Sequence, residues 1–201
     1  MKSSVGIVIL AAGYARRMGR QKLMLPYGEQ SMLRHVVKKA MGTEADWIVV
    51  VINSEFPNLF NEVNDLPVHV MPNHESRLGM SSSLRLGFAY LSEVGAEAGL
   101  VLLADQPGME SSVIDQVIQR YTQTKSRIVQ AVYQGKPGHP VLFSGTLFDE
   151  LQEVSGDQGG RQLIAKYAAE RELVWIDTDE PEDIDTLEDY QRVIQKGGSG
   201  N

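Results

Sequence analysis

Two kinds of residue stand where phosphate chemistry would need them. Four cations, Arg16, Arg17, Arg20 and Lys22, fall within seven residues of a chain that is acidic overall. They share a stretch with Gly13 and Gly19, which can take positive φ and let backbone approach a ligand. Backbone N–H groups at such a turn, topped by Arg and Lys, cradle phosphate oxygens. The stretch is not a Walker A loop, because Lys22 does not follow the second glycine directly, nor is it G-x-G-x-x-G. Without a ligand role it would be a solvated basic loop; the coincidence of small residues and cations favours the phosphate reading. The second kind of residue is a carboxylate. Asp105 closes the apolar run Leu100-Val101-Leu102-Leu103-Ala104. A carboxylate in that place is costly unless paired or metal-bound. Its hard oxygens suit Mg²⁺, which is usually held by one or two carboxylates plus substrate phosphates.

These groups need a scaffold, and the chain supplies alternating elements. Val5–Leu10 is almost continuously apolar, as in a buried parallel strand. The basic loop then lies at the carboxyl end of a strand, where open α/β sheets bind ligands. Ser31 is placed to cap a helix carrying Met32, Leu33, Val36, Val37, Ala40 and Met41 on one face. Trp47–Ile52 reads as a second strand. Pro57 opens a short helix with Leu59, Phe60 and Val63 inward. Val68–Met71 is a short third strand, with His69 on its face and not a ligand. Gly79 frees the backbone before Ser81, Ser82 and Ser83, which begin a helix continued by Leu84, Leu86, Phe88, Ala89 and Leu91. The three serines either cap that helix or donate to a nucleotide.

Leu100–Ala104 is the fourth strand, and Ser111 is placed to cap a helix of Val113, Ile114, Val117, Ile118 and Tyr121. Ile128–Val132 is a fifth strand, residues 134–138 are turn chemistry, and His139–Phe143 returns as a strand. A glycine-rich turn, Gly156–Arg161, precedes a helix of Leu163, Ile164, Tyr167 and Ala168. Leu173–Ile176 is the last strand, and the acidic run 177–183 is mostly a solvated loop. Thr186 with Asp189 three residues on caps a closing helix. Residues 1–195 make one domain, and 196–201 read as a disordered tail. The alternation predicts a single-domain three-layer α/β/α sandwich with a Rossmann-like, mostly parallel sheet.

The ordered set Leu10-Ala11-Ala12-Gly13, Ala15, Arg17-Met18-Gly19, Lys22, Leu25-Pro26 and Gly28 resembles the nucleotide-binding signature of MobA-like nucleotidyltransferases. Further segments match in order: Gly79-Met80-Ser81-Ser82-Ser83-Leu84-Arg85, Ala104-Asp105-Gln106-Pro107, Gly138–Phe143, Gly156–Arg161 and Asp183–Asp189, the last with Leu187 where proline is usual. The resemblance implies the nucleotide-diphospho-sugar transferase fold and a Mg²⁺-dependent transfer of a nucleotide to a phosphate acceptor. It implies nucleotide binding by Leu10, Ala11, Ala12, Gly13, Arg17, Met18, Gly19, Lys22, Gly79, Ser81, Ser82 and Ser83, with Arg17, Lys22 and Asp105 catalytic. Asp105 would hold the metal, with Asp185 or Asp183 as the second contact. His139 and Arg161 are candidates for the acceptor, though each also reads as an ordinary strand-start or turn residue. Cytidylyl-transferring members tend to carry the L-A-A-G form seen at Ala12. That points to CTP, with molybdopterin as acceptor and a molybdenum hydroxylase of the xanthine dehydrogenase type as recipient. Two alternatives stay open: GTP or a sugar or alditol phosphate as substrate on the same fold, and a non-enzymatic molybdenum cofactor carrier.

Composition narrows the field further. The chain has 201 residues and a net charge of −7, which disfavours general nucleic-acid binding while a local basic loop suits one small anion. It contains no cysteine, so disulfides, thiolate nucleophiles and cysteine zinc sites are excluded. No charged leader or membrane-length apolar run is visible, so the expectation is a cytoplasmic protein.

Overall fold

The computed structural model describes residues 3–14, 18, 21–156 and 159–197. In chain order its elements are β1 (Val5–Ala11), β2 (Pro26–Tyr27), β3 (Gln30–Ser31), α1 (Met32–Met41), β4 (Trp47–Asn53), α2 (Asn58–Asn61), β5 (His69–Asn73), α3 (Met80–Glu93), β6 (Ala98–Leu103), α4 (Ser111–Thr124), β7 (Ile128–Tyr133), β8 (Lys136–Ser144), α5 (Phe148–Gln152), α6 (Arg161–Lys166), β9 (Arg171–Ile176) and α7 (Leu187–Gly197). Seven strands form one sheet in the order β5-β4-β1-β6-β8-β7-β9. Within it β8 runs against both neighbours, and the remaining pairings are parallel. The expected mostly parallel sheet is therefore present.

Side-chain alternation explains the layers. Along β1, Val5, Ile7, Ile9 and Ala11 pack into the layer built by α1, α2 and α4. Val8 faces the opposite layer, with Leu84, Phe88 and Leu91 of α3 and Phe148 and Leu151 of α5. In α1 the Ser31 hydroxyl accepts from the Arg34 N–H at 3.2 Å, as its capping position predicts.

Several local expectations give way to tertiary packing. Phe60 is 46% exposed, because α2 is one short turn and only Leu59 and Val63 reach the core. Ser111 is the first helical residue and not the cap; its hydroxyl donates to the Lys39 carbonyl at 2.8 Å and ties α4 to α1. Gly79 holds the cap position of α3, so the three serines lie inside the first turns. The β7–β8 hairpin turns on Gln134–Gly135, both at positive φ (47° and 82°), which matches the twist of paired strands. The returning strand consequently starts at Lys136, ahead of His139. Helix α7 runs to Gly197, into the stretch expected as a tail, while 198–201 lie outside the described residues. Among the described residues no helix is long and apolar enough to cross a membrane.

Helix α3 is seated unusually close to the sheet. A Cβ on Gly87 would lie 2.3 Å from Val8 Cγ1, and one on Gly6 would lie 2.2 Å from Leu91 Cδ2. Gly87→Ala would gain about 1 kcal/mol of helix propensity but overpack a β-branched side chain on a central strand, at a cost of about 1–3 kcal/mol. The expected result of chemical denaturation is net destabilisation, partly reversed by Val8→Ala in the same chain. A Gly87→Ala variant more stable than the parent would overturn the close-seating account.

Candidate active site

A cleft of about 650 Å³ opens at the carboxyl ends of β1 and β6. One wall is the turn after β1, Leu10 to Tyr14; the opposite wall is Ser76, Arg77, Gly79, Met80 and Ser83 before and within α3; the floor holds Lys22, Asp105 and Asp185. Thus Leu10, Ala11, Ala12, Gly13, Lys22, Gly79, Ser83, Asp105 and Asp185 are brought together from four sequence regions. Arg17 and Gly19 lie outside the described residues. Met18 is partly exposed and is not among the lining residues.

Lys22 is the centre of the floor. Its side chain is only 9% exposed, and Nζ donates to Asp105 Oδ2 and to Asp185 Oδ1, each at 2.8 Å. Burial pulls the ammonium's pKa down, but Asp105 and then Asp185 outweigh it, leaving the pKa above the ordinary lysine value. The Asp105 end of β6 is tied to the Asp185 segment through its own backbone, since Asp105 O accepts from the Ile184 N–H at 3.0 Å. Ile184 is fully buried and anchors that segment. Asp183 is engaged elsewhere. Its carboxyl accepts from the Gln106 side chain, and desolvation followed by the nearby Asp105 raises its pKa. Asp185, not Asp183, therefore joins Asp105 on the common cation. Next to it the Thr186–Asp189 pair forms the expected reciprocal cap, with Asp189 N to Thr186 Oγ1 at 3.1 Å and Thr186 N to Asp189 Oδ2 at 2.8 Å.

Two carboxylates that converge on one ammonium also suit a hard divalent cation. Among the described residues no group of three or more His, Asp or Glu side chains forms a complete metal cage. Such a pair fits an ion that takes its remaining ligands from substrate phosphates and water.

Two residues that sequence reading passed over hold the cleft walls. Asn53 and Asn73 end β4 and β5, are partners in register, and are 0% and 1% exposed. Asn53 Nδ2 donates to the Ala12 carbonyl at 3.2 Å. Asn73 Nδ2 donates to Ser82 Oγ at 2.8 Å and Ser83 Oγ at 2.9 Å, and Ser82 Oγ in turn donates to the Gly79 carbonyl at 2.8 Å. Each asparagine Oδ1 also accepts the N–H two residues on. The available signal was an amide at the carboxyl end of each apolar strand. Ser81 is fully buried and its hydroxyl has no hydrogen-bond partner; neither Ser81 nor Ser82 lines the cleft.

The acidic run after β9 is mostly exposed and irregular, as expected of it, but it is pinned at specific points. Gln134 Nε2 donates to Asp179 Oδ1, Glu180 Oε1 accepts from the His139 N–H at 3.4 Å, and the Pro181 Cβ packs near Gly108. Residues 179–185 thus run as a strap from the β7–β8 hairpin to Lys22. His139 sits where the β7–β8 register slips, and its carbonyl accepts from Tyr133 Oη at 2.6 Å. Its Nδ1 is buried without a partner. Burial depresses its pKa, opposed by a hydrogen bond to the Val101 backbone and the charge of Asp105, while Arg161 at the start of α6 pushes the same way as burial. His139 and Arg161 therefore sense each other beside Asp105, adjacent to the cleft but outside its lining.

Residues 7–172 match the MobA-like NTP transferase domain family. Purine catabolism protein PucB of Bacillus subtilis (strain 168) is 29% identical over 197 residues, covering 92% of this chain and 94% of that one. A probable molybdenum cofactor guanylyltransferase of Mycobacterium ulcerans is 30% identical over 198 residues (96% and 95%). The molybdenum cofactor cytidylyltransferase of Escherichia coli is 22% identical over 194 residues (93% and 97%). Among solved structures, the Rv0371c homologue from Mycobacterium sp. strain JC1 superposes with a TM-score of 0.88 at 28% identity over the whole of both chains. Rv0371c of Mycobacterium tuberculosis H37Rv, solved in complex with manganese, shares the fold (TM-score 0.82, 24% identity, 96% of this chain and 99% of that one).

Two outcomes follow from this geometry. Asn73→Ala leaves the Ser82 and Ser83 hydroxyls short of a buried donor, a loss of about 1–3 kcal/mol; denaturant melts should report it, together with a smaller nucleotide-induced rise in Tm. His139 and His35, the latter lowered by burial and Lys39, are both held neutral in the fold. Their pKa values lie below the unfolded value of about 6.5, so the unfolded chain binds more protons and stability falls as pH drops below that value. Replacing both by Gln should flatten the stability profile between neutrality and mild acid, and an unchanged slope would contradict the assignment.

Proposed function

The chain belongs to the MobA-like NTP transferase family, and we propose that it transfers CMP from CTP to the terminal phosphate of molybdopterin. The broader statement is that it is a nucleotidyltransferase. The reading is carried by the convergence of the Ala12–Gly13 turn, the Gly79–Ser83 segment and the Lys22–Asp105–Asp185 cluster on one cleft. In this reaction an oxygen of the acceptor phosphate attacks the α-phosphorus, and the bond to the leaving pyrophosphate breaks. A phosphate monoester is already anionic near neutral pH, so the difficulty is charge and alignment, not deprotonation. Lys22 would stabilise the triphosphate and the developing charge on the leaving group, with Arg17 as its partner from the signature loop. Backbone at Ala12 and Gly13, fixed by Asn53, would align the nucleotide. Asp105 and Asp185 would hold Mg²⁺, which when bound orients phosphate oxygens and neutralises their charge. His139 and Arg161 would receive the acceptor on the side of the hairpin.

Base choice rests on Ala12, which lines the cleft and whose methyl would trim the room beside a base toward a pyrimidine. The cytidylyltransferase of E. coli among the relatives supports this. The product would be molybdopterin cytosine dinucleotide, and the purine catabolism protein among the relatives supports a purine-oxidising molybdenum hydroxylase, of the xanthine dehydrogenase type, as recipient. GTP is the second reading, favoured by the M. ulcerans relative. Pyrophosphate release with Mg²⁺ and molybdenum cofactor, compared across CTP, GTP, ATP and UTP, separates them. The expected result is a CTP preference that Asp105→Asn reduces on the order of 10²–10³-fold. A GTP preference would overturn the Ala12 argument, and full activity in Asp105→Asn would overturn the metal role.

A further inference from the structure

We propose that Lys22 is a built-in competitor for the divalent cation, so that the free protein excludes the metal and admits it only as the triphosphate draws the lysine away. This inference rests on the proposed metal role of Asp105 and Asp185. The ammonium lies between the two carboxylates at 2.8 Å from each, in the position from which a metal would have to coordinate both. Mg²⁺ holds oxygens at about 2.0–2.1 Å, closer than an ammonium does. The two cations therefore cannot share the space between one pair of oxygens. The lysine is well placed to compete, because its side chain is 9% exposed and its charge is little screened by water. Asp105 and Asp185 are fixed by the Ile184–Asp105 backbone bond and the Thr186–Asp189 cap, so the pair does not need a metal to be brought together.

What moves is the lysine. Its stem is a flexible four-carbon chain, and it lines the same cleft as the turn of Ala12 and Gly13. A triphosphate in that cleft offers the ammonium a new set of oxygens and leaves the carboxylates to the metal. The coupling is reciprocal: nucleotide raises metal affinity by the factor by which metal raises nucleotide affinity. The species the site accepts is then the metal–nucleoside triphosphate complex, and a free divalent ion is a poor ligand.

Electron paramagnetic resonance of free Mn²⁺, titrated with the full chain in the absence of nucleotide, tests this without using activity. Lys22→Met, which keeps the stem and removes the charge, should bind one Mn²⁺ at least about tenfold more tightly than the parent. Removing one opposing unit charge at this range more than suffices for that change. Adding Asp105→Asn should abolish the gain. The thermal stability of Lys22→Met should rise on Mn²⁺ addition, where the parent's does not. Lys22→Gln, which is polar but uncharged, serves if Lys22→Met does not fold, with the same direction of effect expected. If the lysine variants bind Mn²⁺ no better than the parent, while Mn²⁺–CTP binding by the parent is lost in Asp105→Asn, the competition is wrong and the metal reading stands. If Mn²⁺–CTP binding survives Asp105→Asn, the metal assignment fails and takes this inference with it.

Discussion

One ammonium holds three distant parts of the chain in a single site. Lys22 reaches residues 83 and 163 positions away, joining the turn after the first strand, the end of the central strand β6 and the segment before the last helix. Two unit charges at such range interact by about 1 kcal/mol in water and about 4 kcal/mol at the effective dielectric near a protein surface. Lys22 is buried enough to lie toward the second limit, with the Asp185 side screened more than the Asp105 side. Around this point the other parts have defined duties. The sheet supplies strand ends, α3 closes tightly on it through Gly87, and the strap from Asp179 to Asp185 carries the closing segment across the rim.

The rim is divided. On one side, Asn53 and Asn73 hydrogen-bond the walls of the proposed nucleotide cleft. On the other, the antiparallel strand β8 carries His139 at a break in register, with Arg161 close by. Asp105 stands at the boundary and is felt electrostatically on both sides. Group transfer between two polyanions requires such a meeting point, because neither ligand can be brought near the other without fixed positive charge and fixed carboxylate geometry.

The parts legible in the sequence were those with strong local patterns. The apolar runs of β1, β4, β6 and β7 named themselves, as did the Ser31 cap and the Thr186–Asp189 cap. The signature around Gly13 and Lys22 and the carboxylate of Asp105 pointed to the strand ends where the cleft opens. Less legible were features decided by tertiary contact. Ser111 looks like a cap but finds the Lys39 carbonyl. The serines before Leu84 look like caps or ligands, yet Ser82 and Ser83 serve a buried network led by Asn73. The acidic run is exposed as its composition suggests, but its anchoring points were hidden because their partners, Gln134, His139 and Gln106, are scattered through the chain. Asn53 and Asn73 were invisible because an amide ending a strand has many uses, and only the fold shows which carbonyl or hydroxyl it meets.

The reversed direction of β8 has a consequence for how such a scaffold diversifies. Because β7 and β8 form a two-residue hairpin that projects beyond the same rim as the ends of β1 and β6, its tip meets the strap through Gln134 and Asp179. Lengthening or reshaping that tip changes what stands beside His139 without shifting the first strand, the glycine-bearing turn or the two asparagines. Selection can therefore reshape the hairpin side of the rim while the β1 and β6 side is inherited intact, a separation that a uniformly parallel sheet, with its long crossover connections, would not provide at this position.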